Sequence, residues 1–138
     1  MGGVTVNLMS KTRLEYSWLA PAAFTTLIVR PAIATSRFYT VYLWVRVHEK
    51  NLAGGGQRII FGLYNTYPSR EDPREFSESS LFAGISMASG TTAPELLSSS
   101  VATSPGPYLK FVIEIYQDTS VADILYTQVS AGVVLREH

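Results

Sequence analysis

The stretch that most constrains this chain is residues 38 to 48, FYTVYLWVRVH, which alternates at period two yet is largely apolar on both resulting faces. Tyr39, Val41, Leu43, Val45 and Val47 make one row, and Phe38, Thr40, Tyr42, Trp44, Arg46 and His48 make the other. A strand with one wet face reads apolar in and polar out. The segment therefore predicts a central strand whose first row enters a core and whose second row is covered by protein, from its own chain or from another molecule. A sugar face is the other surface that such a row of rings would suit.

Strand signals recur along the rest of the chain. They cover Val4 to Met9, Arg13 to Leu19, Phe24 to Val29, Arg37 to His48, Gln57 to Tyr64, Leu81 to Ala88, Tyr108 to Tyr116, Ala122 to Val129 and Val133 to Glu137. Gly54, Gly55 and Gly56 read as the tip of a hairpin joining the fourth and fifth of these, and Gly132 reads as a bulge or bend before Val133. Helical periodicity is confined to a single turn near Ser69 to Glu75 or Pro94 to Ser98. The fold expected is all-β, a two-sheet antiparallel β-sandwich of jelly-roll or Greek-key type with about eight strands, residues 1 to 138 forming one domain.

Charge is sparse, 16% of residues against roughly 25% in an average soluble domain, so much of the surface must be apolar or uncharged. The net charge of +0 gives no field to steer the protein to nucleic acid or to an anionic membrane. Along the chain the charge is uneven. Lys11, Arg13, Arg30, Arg37, Arg46, Lys50 and Arg58 against Glu15 and Glu49 leave +5 over residues 1 to 60, balanced by −5 beyond. Strands of the two halves that interleave in a sandwich would mix these charges, whereas segregated halves would attract head to tail between subunits.

The start of the chain lacks the basic and apolar regions of a secretory signal, and no run of about 18 apolar residues spans a membrane. The expectation is a soluble, unprocessed protein made and assembled in the cytoplasm. With no cysteine there is neither a disulfide nor a thiolate metal site. His48 is the one histidine inside the chain, beside Glu49, but neighbours in a strand point to opposite faces. Glu15 and Glu114 could act as paired carboxylates only if the fold brought them together, and Glu71, Asp72, Asp118 and Asp123 could hold calcium only if loops converged. No catalytic residue, cofactor or metal site is predicted.

Two connections are longer than a compact sandwich needs: residues 65 to 80, rich in charge, and residues 89 to 107, nearly uncharged and ending in Pro105-Gly106-Pro107. In the second, Leu96, Leu97 and Val101 suit an arm that packs on its own sheet edge or adds to a neighbouring subunit, with the prolines stiffening a hinge. The candidate interface or ligand residues are therefore Tyr42, Trp44 and Arg46 of the central strand, Tyr64 and Tyr67 before the charged connection, and Leu96, Leu97 and Val101 of the arm. They point first to a non-enzymatic, self-associating subunit of a homo-oligomer, shell, tube or fibre, partnered by itself or by other subunits. The alternative is a carbohydrate-binding module that uses exposed Tyr and Trp.

Overall fold

The structure, a computed structural model, describes residues 3–16, 23–52, 58–68, 76–88, 94–117 and 125–137. Its strands are β1 (Gly3–Tyr16), β2 (Ala23–Val29), β3 (Ile33–Ala34), β4 (Phe38–Asn51), β5 (Arg58–Pro68), β6 (Phe76–Ala88), β7 (Glu95–Val101), β8 (Tyr108–Gln117) and β9 (Leu125–Glu137). One sheet has the order β1-β9-β4-β7 and the other β2-β8-β5-β6, with β3 pairing to β8. Every pairing is antiparallel. Apart from the hairpin β5–β6 and the short step from β2 to β3, each connection passes from one sheet to the other. The result is the expected all-β, two-sheet sandwich of jelly-roll type.

Alternation builds the core. Val41, Leu43, Val45 and Val47 of β4 are fully buried, and Val129, Ala131, Val133 and Leu135 of β9 sit beside them. From the opposite sheet come Ile59, Phe61 and Leu63 of β5, Leu109, Phe111, Ile113 and Ile115 of β8, and Ala83, Ile85 and Met87 of β6. Each large apolar side chain removed from water this way contributes about 1.5–3 kcal/mol.

Bulges move several residues off their expected faces. The register of β4 against β9 shifts between Phe38 and Thr40, so Phe38 is buried in the core whereas Tyr39 is exposed, the reverse of strict alternation. Shifts at Asn7/Met9 and Met9/Thr12 keep β1 continuous where two strands were expected. β9 likewise runs unbroken through Gly132, which pairs in register with Trp44 on one side; the bulge expected here lies on its other side, where Leu8 of β1 is the extra residue between the pairs Asn7–Gly132 and Met9–Ala131. The expected hairpin across Gly54–Gly56 does not form, because β4 and β5 lie in different sheets; the glycines themselves are outside the described residues. Stacked sheets lie about 10 Å apart, a step that a glycine-rich connection of this length can span. The charged connection shrinks too, since β5 extends to Pro68, β6 starts at Phe76, and these two residues pair. The other expected helical turn, Pro94 to Ser98, is instead the start of β7, and Ser69 to Glu75 is outside the described residues save the strand ends beside it.

The two halves of the chain alternate within each sheet, as the intramolecular mixing of charge requires. Arg37 Nε lies 3.5 Å from Glu137 Oε1, a solvated pair that contributes little to stability.

A buried threonine holds the segment between β7 and β8. Thr35 is fully buried; its hydroxyl donates to the Gly106 carbonyl at 2.9 Å and its N–H to the Pro107 carbonyl at 2.9 Å. The Asn65 amide donates to the Pro105 carbonyl, and Gly106 adopts φ 84, which a side chain would strain. Replacing Thr35 with valine keeps the shape but leaves the Gly106 carbonyl without its donor. The expected loss is about 1–3 kcal/mol, read from urea unfolding at constant m-value.

Candidate functional site

Because the odd residues of β4 fill the core, the even ones form the outer face of the β1-β9-β4-β7 sheet. Thr40, Tyr42, Trp44 and His48 are half-buried there, and Arg46 is exposed. Pairing places them in rows across all four strands. One row reads Thr5, Val134, Tyr42, Ser100, and the next Asn7, Gly132, Trp44, Ser98. Neither row contains a charge. Arg46, between Ser130 and Leu96, bounds them on one side, and Arg136, opposite Thr40, on the other.

Trp44 lies across the backbone of Gly132. A Cβ at that position would sit 2.5 Å from Trp44 Cζ2 and 2.8 Å from Nε1, so only glycine lets the indole rest there. Beside it, Thr40, Tyr42, Ser100, Val134 and Arg136 line an open depression of about 320 Å³. The Asn7 amide donates to Ser10 Oγ at 3.1 Å. His48 Nε2 is 3.1 Å from Ser130 Oγ, not paired with Glu49. Charges return further along the sheet, where Arg13 lies 3.9 Å above the Tyr126 ring and binds Glu15. Near the start of β7, desolvation lowers the Lys50 pKa from its ordinary value, and the Glu95 carboxylate opposes that shift.

Four of the predicted residues thus come together on one face: Tyr42, Trp44, Arg46 and Leu96, the last 49% exposed and opposite Arg46. The others do not join them. Leu97 and Val101 point inward and pack against the core, because they share the parity that faces Val45 and Val41. Tyr64 belongs to the other sheet, where its hydroxyl donates to Glu114 Oε1 at 2.8 Å. Tyr67, on β5, pairs with Ser77 of β6, and its side chain is outside the described residues. Glu114 and Glu15 occupy outer faces of opposite sheets with the core between them, so they cannot flank one bond. Glu71, Asp72, Asp118 and Asp123 are outside the described residues, and among those described no three metal-ligating side chains cluster.

The partners of Trp44 and Tyr42, namely Gly132, Ser98, Val134 and Ser100, are not legible in the sequence as their neighbours, since strand order alone brings them together. A glycine within an otherwise β-forming run, Val129 to Leu135, was the available signal. The opposite sheet repeats the device: Gly62 pairs with Gly84, and Leu81, 51% exposed, lies over both.

No protein-family model matches the sequence, and no curated protein does. In three dimensions the chain is similar to VP2 of infectious bursal disease virus in its subviral particle, with a TM-score of 0.61 at 13% identity; the match covers 99% of this chain and 32% of that one. It therefore spans about a third of the VP2 chain (32%). The structure of the Gx strain of the same virus aligns with a TM-score of 0.49 at 13% identity over 97% of this chain and 31% of the other. The K3 cleaved adhesin domain of Lys-gingipain from Porphyromonas gingivalis W83 aligns with a TM-score of 0.42 at 12% identity over 78% of this chain and 62% of that one. The likeness to VP2 places the chain in a class by architecture, the jelly-roll β-sandwiches. Among the described residues no helix is long and apolar enough to cross a membrane.

Proposed function

We propose that this chain is a non-enzymatic, one-domain structural subunit that self-associates into a homo-oligomer or a larger shell, tube or fibre. The observation that carries the reading is the pair of uncharged rows that cross all four strands of an outer sheet face, centred on Tyr42 and Trp44 and bounded by Arg46 and Arg136. An aromatic centre with an arginine rim is the composition that protein interfaces favour. A shared fold alone does not assign a role. It is nonetheless consistent with the reading that the VP2 chain similar to this one forms a subviral particle.

Light scattering at two concentrations tests the proposal, with an apparent mass that rises with concentration as the expected result. Tyr42→Lys places a charge in the middle of the face without entering the core. It should weaken association by about 10-fold or more, equivalent to ~1.4 kcal/mol, while leaving the circular dichroism of the strands unchanged. A wild-type chain that stays monomeric at every concentration removes the proposal.

A second reading rests on the indole laid flat on Gly132 beside the depression lined by Ser100 and Arg136, an arrangement that could also stack a sugar ring. Titrating oligosaccharides into a Trp18→Phe variant, so that Trp44 is the one reporter, separates the two. Saturable quenching in a monomeric sample favours the sugar, and no quenching leaves the assembly reading.

A further inference from the structure

Each sheet has two edges, and they differ in how far their geometry discourages a further strand. β1 carries two register shifts and Lys11, Arg13 and Glu15. β2 has a shift between Thr26 and Ile28 and is followed by Pro31. β6 meets β5 with shifts at Leu63/Tyr64 and Asn65/Thr66. Bulges, charge and proline are the usual means of blunting an edge. β7 is blunted least: it pairs with β4 in unbroken register from Glu95 to Val101, and its one charge, Glu95, and the neighbouring Pro94 stand at its first residue, leaving Leu96 to Val101 clear of bulge, charge and proline. Among the described residues no strand pairs with its other side.

We infer that the free edge of β7 pairs antiparallel with β7 of a second copy about a two-fold axis through Ser99, joining two four-stranded sheets into one. The inference rests on the self-association proposed above and names one contact through which it occurs. In this register Leu97 opposes Val101 of the second copy, so the half-buried inward row continues from one core to the next. On the outer face Ser98 opposes Ser100, small side chains that let the strands approach. The two Glu95 carboxylates fall eight residues apart along the paired strands, about 26 Å, too far to repel strongly in physiological salt.

Exchange of β7 as an arm is disfavoured by the fastening that follows it. Asn65 and Thr35 hold Pro105, Gly106 and Pro107 to the rest of the domain, so the segment is tied down where a hinge would be needed. A two-fold contact closes at a dimer. The edge and the uncharged face together supply the two distinct contacts that a larger assembly requires.

The absence of cysteine makes the test direct. Ser99→Cys places one thiol on the axis, and a short thiol-specific cross-linker should convert most of the associated protein to covalent dimer. Ser86→Cys, exposed on the other sheet, should not. S98K/S100K opposes like charges across the axis and should abolish this dimer, whereas S98K/S100E opposes unlike charges and should retain it. If the wild-type protein associates but Ser99→Cys cross-links no better than Ser86→Cys, the edge contact is overturned and self-association stands. If the wild-type protein is monomeric throughout, both readings fall.

Discussion

Truncating Phe111 to alanine lowers the unfolding free energy by about 3–5 kcal/mol, the largest effect expected of any single substitution described. Phe111 is fully buried on β8, directly opposite Leu63, and its carbonyl accepts the Arg30 N–H at 2.9 Å. Its ring lies in the shared core, so its removal leaves a cavity lined by two sheets whose backbones are held by their ladders and cannot collapse far. Whole-domain stabilities run to about 5–15 kcal/mol, so the variant should be partly unfolded at room temperature if the wild type lies near the lower end. Urea titration followed by circular dichroism measures the shift. A change below about 1 kcal/mol, far under the usual cost of such a truncation, would mean that the sheets do not share the core described.

The second large effect is at Gly132. Alanine there brings Cβ to 2.5 Å from Trp44 Cζ2, 2.7 Å from Cε2 and 2.8 Å from Nε1, closer than packed carbons tolerate, and the β9 backbone cannot retreat because it is bonded on both sides by β1 and β4. The indole must therefore swing away from the sheet. The expected cost is about 1–3 kcal/mol, as for other overpacked sites, with a red-shifted Trp44 emission in a Trp18→Phe background and loss of association. Trp44→Leu in the same chain should recover part of the stability, since the smaller side chain leaves room for the methyl group. That non-additivity would assign the penalty to the pair. Gly84→Ala provides the contrast: the three atoms nearest its Cβ would all belong to the Leu81 side chain, the first at 3.2 Å, and it should cost less.

The sequence makes the inward row of β4 legible because four β-branched or leucine side chains at period two admit one arrangement in a sandwich. Val41, Leu43, Val45 and Val47 are where alternation puts them. Phe38 was misplaced because a bulge is a property of two strands, set by which residue of β9 lies opposite, and one strand read alone cannot show it. β7 was legible as an arm on its own sheet edge but not as a strand, for a different reason. Ser98, Ser99 and Ser100 carry little β propensity, and an edge strand needs only the ladder of its neighbour and an occasional inward Leu97 or Val101. At the candidate site Tyr42, Trp44 and Arg46 were legible as one outward row of β4. Their companions Val134 and Ser100 became neighbours only through strand order, which period-two patterning does not encode.

The alternation of early and late strands within each sheet also governs when the fold can form. β9 is the last of the described strands and lies between β1 and β4, so those two strands have no ladder to share until β9, from Leu125 onward, is available. Of the long strands among the described residues, only β5 and β6 pair with a sequence neighbour. The remaining pairings join distant segments, a topology that folds slowly. During that interval β1 and β4 each wait with exposed edges, and a chain still being made is open to pairing with its neighbours in ways the finished sandwich no longer allows.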